Sequence, residues 1–345
     1  MTATALRLPA PRTPDARTAP PLRWGVLGTG WIAERFAAAL AESTTQRVVA
    51  VGSRSLESAE RFAEPYAGAR AHGSYADLVN DGEVDVVYVA TPHPSHLEFA
   101  RLAVEAGKHV LVEKPMTITA DDARALAGLA RERGVFLMEA FWTKFLPRYD
   151  VIRQVLEAGI LGDVHTVVAD FGEWFPDSHR IMRRDLAGGP MLDLGTYPFG
   201  LITWVLGEPD EIAAFGQPSK TAGVNAQTAA ILRFGDRAQA VVQTSILGTS
   251  PTTAAIVGDR AALALPGPFY QPGDVVLLGR DGREIDRWSE EPVAHRALFW
   301  QAAEVARCIE AGLTESPLHP LDATIASLTT MDAVRRMTGE TFDGE

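Results

Sequence analysis

Residues 22–40 read LRWGVLGTGWIAERFAAAL. The first six residues form a short apolar run that reads as a strand, and Gly28-Thr29-Gly30 follows without a spacer. Trp31 to Leu40 then shows helical spacing, with Ile32, Phe36 and Leu40 on one face. A strand that runs through a glycine turn straight into a helix is how a βαβ unit opens. Working outward, the alternation repeats. Strands at Val48–Val51, Val84–Ala90, His109–Glu113 and Val135–Glu139 are separated by helices near Leu56–Ala67, His96–Glu105 and Ala120–Arg133. Parallel strands need crossover connections, so residues 22–140 are expected to form a doubly wound parallel sheet with helices on both faces.

The pattern changes beyond residue 140. After a helix near Tyr149–Glu157, strand-like segments follow at Val164–Phe171, Glu211–Phe215, Ala226–Phe234, Ala238–Ser245 and Asp274–Leu278. Short turns such as Gly235-Asp236 join some of them, which implies antiparallel pairing. Helices near Asp193–Val205, Phe299–Ala311 and Asp322–Thr338 are expected to cover one face. The fold class is therefore α/β: an N-terminal Rossmann domain (22–140), then an α+β domain (141–345) with a large, mostly antiparallel open sheet. Residues 1–21, rich in Ala, Thr, Pro and Arg and lacking an apolar core, read as a disordered arm rather than a signal peptide.

The chain has 345 residues, 32 basic and 44 acidic side chains, a net charge of −12 and one cysteine. A 46% hydrophobic fraction supplies a core and excludes wholesale disorder. The acidic balance argues against nucleic-acid binding, and no apolar run suits a membrane span. The lone Cys308, read as buried and inert, excludes a disulfide framework and points to a cytoplasmic protein. His93 and His96 lack the acids or cysteines that a metal site needs, so no metal is expected.

Gly28-Thr29-Gly30-Trp31-Ile32-Ala33 fits G-x-G-x-x-(G/A), with glycines for the turn and for close approach of a pyrophosphate to a helix N-terminus. At the end of the second strand NAD binding would favour an acid. This chain has Gly52-Ser53-Arg54-Ser55 there. Arg54 with Ser53 can hold a 2′-phosphate, although an arginine stacked on adenine suits either dinucleotide. NADP is favoured and NAD less so.

The phrase ATPHPSHLEFARLAVEAGKHVLVEKP (90–115) resembles the glucose–fructose oxidoreductase/inositol dehydrogenase (Gfo/Idh/MocA) family. LMEAFWTKFLP (137–147) and GGPMLDLGTYPFG (188–200) are similar to the branch of dimeric trans-dihydrodiol dehydrogenases and NADP-dependent D-xylose 1-dehydrogenases. The resemblance covers roughly residues 22–340. It implies that Lys114 of Glu113-Lys114-Pro115 lies beside the nicotinamide and the substrate, and that Thr91, Pro92, His93, His96 and Glu113 contact the cofactor. It pairs Asp193 with Tyr197. Tyr197 would serve as general acid/base, its pKa lowered by the Lys114 ammonium, and Asp193 would orient the lysine or the substrate hydroxyl. Homodimers or higher homo-oligomers are likewise implied.

Trp142, Phe145, Trp174 and Phe175 read either as walls of the substrate pocket or as plain core. Arg180, Arg183 and Arg184 read as substrate contacts or as a solvated loop. Asn225 stands where many relatives have aspartate, which leaves the substrate open. The expected activity is NADP-dependent hydride transfer at a secondary carbinol or carbonyl of an aldose (D-xylose-like) or a trans-dihydrodiol. The alternatives are a non-catalytic NADP(H) sensor and a cofactor-assisted glycoside-cleaving enzyme.

Overall fold

The computed structural model describes residues 6–342. They form two compact units, one of residues 14–145 with 293–325, the other of 6–13, 146–292 and 326–342.

The first unit opens with β1 (Arg23–Leu27), α1 (Trp31–Ser43), β2 (Arg47–Gly52), α2 (Leu56–Ala63), β3 (Arg70–His72) and α3 (Tyr75–Val79). It continues with β4 (Val86–Val89), α4 (His96–Glu105), β5 (His109–Glu113), α5 (Ala120–Arg133) and β6 (Leu137–Ala140). The six strands are all parallel, in the order β3-β2-β1-β4-β5-β6. Helices on both faces bury the central strands, as in β4, where Val86 to Val89 are all inaccessible, while the edge strand β3 has no buried residue. The strand order reverses between β1 and β4, so their carboxyl ends flank the crevice in which such sheets bind ligands. Side-chain caps from Ser55, Ser74 and Thr119 start α2, α3 and α5, and Gly134 in the left-handed region ends α5.

The second unit contains α6 (Pro147–Glu157), β7 (Val164–Gly172), α7 (Pro190–Asp193), α8 (Thr196–Leu206), β8 (Glu211–Pro218), β9 (Asn225–Phe234) and β10 (Ala238–Ser245). The strands β11 (Ala254–Gly258), β12 (Ala261–Leu265), β13 (Val275–Gly279) and β14 (Glu284–Trp288) complete it. The eight strands run β14-β13-β12-β11-β7-β10-β9-β8. Every neighbouring pair is antiparallel except β7 with β10, which is parallel at the centre. Alternation sets the faces: in β9 Ala230, Leu232 and Phe234 are buried while Ile231 and Arg233 are exposed. On the outer face Ala213, Ile231, Val241, Val168, Ala255 and Ala264 align in one cross-strand row.

Three expectations are corrected. First, the helix expected to start at Asp193 is two helices. α7 ends at Asp193 and α8 starts at Thr196, with Gly195 between them. A Cβ on Gly195 would lie 2.3 Å from the Met191 carbonyl oxygen, so only glycine lets the chain turn there.

Second, α9 (Phe299–Glu310) belongs to the first unit and does not cover the second sheet. The buried Trp24 indole donates to Gln46 Oε1 (2.7 Å), and the Gln46 amide donates to the Ala302 carbonyl (3.2 Å). That bridge fixes α9 to the strand sheet. α10 (Leu321–Thr338) follows it.

Third, residues 6–21 are packed, while residues 1–5 of the expected arm lie outside the described residues. The Leu8 N–H donates to Asp286 (2.9 Å), and Arg12 grips Asp150 through both its backbone N–H (2.6 Å) and its guanidinium (2.8 Å). Ala16 and Ala19 then pack on Ala303 and Ala306 of α9. Proline-rich extended backbone needs no ladder partner, so a few side-chain anchors suffice to hold it.

Sheet and loop in the second unit are joined by one cation. Arg148 of α6 is wholly buried, and its guanidinium donates to five backbone carbonyls, those of Pro266, Pro268, Phe269, Gln271 and Asp274, at 2.6–3.2 Å. The loop between β12 and β13 is therefore wrapped around a fixed charge. Arg148→Met would fill the space and orphan those carbonyls. We expect urea unfolding to show a loss of about 3 kcal/mol or more; a loss below about 1 kcal/mol would mean the cage is not what holds the loop.

Candidate active site

The site of the first unit begins at the glycine turn. Gly28 sits at φ +99°, its N–H donates to the Gly52 carbonyl (3.0 Å), and a Cβ there would lie 2.6 Å from the Ala90 oxygen. Gly30 caps α1 with no side-chain partner, and a Cβ on it would meet nothing within 4 Å. An open cradle at a helix N-terminus suits a pyrophosphate. Thr29 and Ile32 are half-buried, while Trp31 is 54% exposed, unusual for so large an apolar ring. At the end of β2, Ser53 is buried and accepts from the Ser55 N–H (3.3 Å); Arg54 is exposed and its charge acts on the nearby Tyr75 hydroxyl.

The ends of β4 and β5 carry the next residues. The Thr91 hydroxyl is a buried polar atom without a hydrogen-bond partner, which is how a ligand contact reads when the ligand is not present. These two features, the open cradle and the orphaned hydroxyl, fit a bound dinucleotide. Pro92 is exposed, His93 is buried, and His96 places both ring nitrogens 2.8 Å from carbonyl oxygens, those of Thr91 and Pro115. His96 thus staples the end of β4 to the Lys114-Pro115 bond, which is cis.

Lys114 is half-buried at the end of β5. Beneath it, Glu113 accepts from the Tyr88 hydroxyl (2.5 Å) and from the Lys114 N–H (3.2 Å). Burial pushes the Glu113 carboxyl up to about 7 against those hydrogen bonds, and nearby Glu139 adds to the rise. Burial acts on Glu139 in the same direction, but hydrogen bonds from His319 (2.9 Å), Thr324 (2.8 Å) and the Met116 N–H (3.0 Å) hold it below the usual carboxylate range. Two adjacent buried acids are therefore pushed in opposite directions. Trp142 is buried in this unit and stacked on His295, with ring centroids 5.5 Å apart.

In the second unit Asp193 and Tyr197 are both buried. Asp193 pairs with Arg180 at 2.9 Å, which gives that arginine a partner in the chain itself. Arg183 pairs with Asp185 and Arg184 reaches Thr341. The Tyr197 ring stacks on Tyr270 at 4.2 Å, and Tyr270 stacks on Phe171 at 4.9 Å. Tyr270 sits in the loop that Arg148 holds, so the buried cation fixes the ring against which Tyr197 rests. Trp174 is 62% exposed beyond β7, Phe175 stacks on His179, and the Asn225 amide is spent on Thr228 (2.6 Å). Cys308 is buried, and burial raises its thiol pKa.

Sequence reasoning missed Tyr270, Arg148 and His295. Tyr270 stands among turn residues in GPFYQPG, with no periodicity to mark it. Arg148 reads as an ordinary helix cation. The one usable signal was the aromatic pair Phe269-Tyr270 inside a proline–glycine loop.

Similarity to known proteins covers most of the chain. Residues 22–141 match the family model described as oxidoreductase family, NAD-binding Rossmann fold, and residues 149–264 match the GFO/IDH/MocA C-terminal domain. Trans-1,2-dihydrobenzene-1,2-diol dehydrogenase of Xenopus tropicalis is 32% identical over 93% of this chain and 99% of its own length. The Macaca fascicularis enzyme of the same name is 35% identical over 93% and 98%. Among solved structures, a 3-ketoreductase from Actinomadura kijaniata, in complex with NADP and TDP-benzene, superposes with a TM-score of 0.81. It is 28% identical and the match covers 92% of this chain and 98% of that one.

The raised Glu113 gives stability a pH dependence. The folded chain keeps this proton up to about pH 7, whereas the unfolded chain releases it near about pH 4.3. Stability from this group is thus complete below the unfolded value and is lost as pH rises through the folded one. Glu113→Gln, which cannot ionise, should flatten the fall in Tm between about pH 5 and 7.5; melting curves with identical slopes would refute the assignment.

Proposed function

The chain belongs to the GFO/IDH/MocA oxidoreductase family as an NAD(P)-dependent dehydrogenase, and we propose that it moves hydride between NADP and a secondary carbinol or carbonyl. The observation that carries this reading is the buried phenol of Tyr197, fixed in a three-ring stack four residues after Asp193. A phenol held so tightly is suited to passing a proton at one defined atom. Tyr197, acting as its phenolate, takes the proton from the carbinol oxygen as the carbon gives up its hydride and becomes a carbonyl. In the first unit Lys114, at the end of β5, is the cation suited to stabilising developing negative charge, and in the second Asp193, held by Arg180, is the acid suited to orienting a hydroxyl. The bound nicotinamide supplies the hydride acceptor, or the donor in reverse.

The substrate class is a vicinal trans-dihydrodiol or the anomeric hydroxyl of an aldose. Dihydrodiol dehydrogenases at 32–35% identity support the first, and the 3-ketoreductase supports carbonyl reduction on related frameworks. That reductase was solved with NADP, and Ser53-Arg54 in place of an acid favours the same cofactor here. The lone cysteine fits a reducing cytoplasm. The second sheet leaves Ile231, Val241 and Val168 exposed in register at 53%, 45% and 43%, a self-complementary apolar row suited to a homodimer.

Tyr197→Phe should lower kcat by a factor on the order of 10²–10⁴ with the affinity for NADP⁺ unchanged. Reduced-nicotinamide absorbance with a trans-dihydrodiol, D-xylose and D-glucose reads this directly, and full turnover by the variant would remove Tyr197 from the chemistry. Val241→Glu should halve the mass seen by light scattering. An unchanged dimer would place the interface elsewhere.

A further inference from the structure

His295 has no role in the chemistry above, yet the fold holds it with care. It lies on the single turn Ala294–Leu298 that leads into α9. Its neighbour Ala294 is at φ +49°, one of three non-glycine residues with positive φ among those described. Such conformations persist only where surrounding structure enforces them, and they gather at ligand sites. The His295 ring stands edge-on to Trp31, with centroids 4.8 Å apart at 78°, and lies over Trp142 at 5.5 Å and 29°.

The surroundings tell what this ring faces. Trp31 is the first residue of α1, directly after the phosphate cradle, and it is left half-exposed. The Arg35 guanidinium lies 5.6 Å above the same ring. Burial, then the charges of Lys114 and Arg35, push the His295 pKa down to about 4, so the imidazole is neutral at working pH. His295 therefore packs on the first residue after the cradle and lies within electrostatic reach of Lys114. Between a pyrophosphate site and the lysine at the end of β5 lies the place for the far half of a dinucleotide.

Its chemistry matches that half. Oxidised nicotinamide is a flat cation carrying an amide. A neutral imidazole does not repel it, offers one donor and one acceptor, and leaves the exposed Trp31 face to cover the adjoining ribose or ring. We propose that His295 is a binding residue for the nicotinamide half of the cofactor, closing the groove with Trp31 by a polar contact to the carboxamide or its ribose. The inference rests on dinucleotide binding by the first unit, and needs neither the substrate assignment nor the role of Tyr197.

The test is direct titration calorimetry on the full chain with NADP⁺ and with adenosine 2′,5′-bisphosphate, which lacks the nicotinamide half. NAD⁺ and 5′-AMP are run as a parallel pair. His295→Ala should weaken the whole dinucleotide about tenfold and leave the adenine fragment unchanged, and His295→Gln, which keeps a donor and an acceptor, should recover most of the loss. Unchanged dinucleotide affinity in His295→Ala overturns the proposal. So does an equal loss for dinucleotide and fragment, the mark of a general distortion. Should the alanine chain not fold, His295→Leu against His295→Gln decides, and equal affinities overturn it. A wild-type chain that binds neither dinucleotide overturns the cofactor reading itself, and the role of His295 with it.

Discussion

Everything in the first unit depends on how near two strand ends come to each other. At Gly28 the backbone passes so close to Ala90 that even a methyl group would lie 2.6 Å from a carbonyl oxygen. This approach brings the carboxyl ends of β1 and β4 together at the reversal of strand order. The cradle at Gly30, the orphaned Thr91 hydroxyl and the His96 staple to Pro115 are all arranged around it. A larger residue at Gly28 would push the strand ends apart and disperse that set. The constraint is steric, and it acts before any ligand arrives.

In the second unit the organising element is electrostatic. Charges are seldom buried without a partner of opposite sign, but the two terminal nitrogens of Arg148 are met by carbonyl dipoles. Five of them converge on one guanidinium, so a loop with no regular structure of its own becomes as definite as a strand. The stack of Phe171, Tyr270 and Tyr197 inherits that definition. The two units therefore prepare rigid groups by different means, close backbone packing in one and a caged cation in the other.

What could be read from the sequence follows the same division. The parallel sheet was legible because its signals are local: a glycine turn between strand and helix, and β-branched runs such as VVYV in β4. The long strands of the second sheet were legible through alternation. β11 and β12 were not, since AAIVG and AALAL are short and rich in alanine, which has little strand preference. The motif residues Lys114, Asp193 and Tyr197 were visible by resemblance. Tyr270, Arg148 and His295 were not, because their neighbours lie far away in sequence and only the folded chain brings them close. The placement of α9 failed for a similar reason: its docking to the first unit runs through Gln46, and no sequence period encodes a contact across 256 residues.

That distant docking bears on how the molecule is made. Each unit is discontinuous: residues 293–325 complete the parallel-sheet unit, and residues 326–342 complete the other. On the ribosome neither can close until almost the last segment has emerged. At synthesis rates of about 5–20 residues per second, the nascent chain spends many seconds with the α9 docking surface beside Trp24 uncovered. The central parallel pair of the second sheet adds to the wait, since β7 must stay unpaired on that side until β10 has been made. Completion of either unit thus waits for segments made late, and the surface beside Trp24 stays open to other contacts in the meantime.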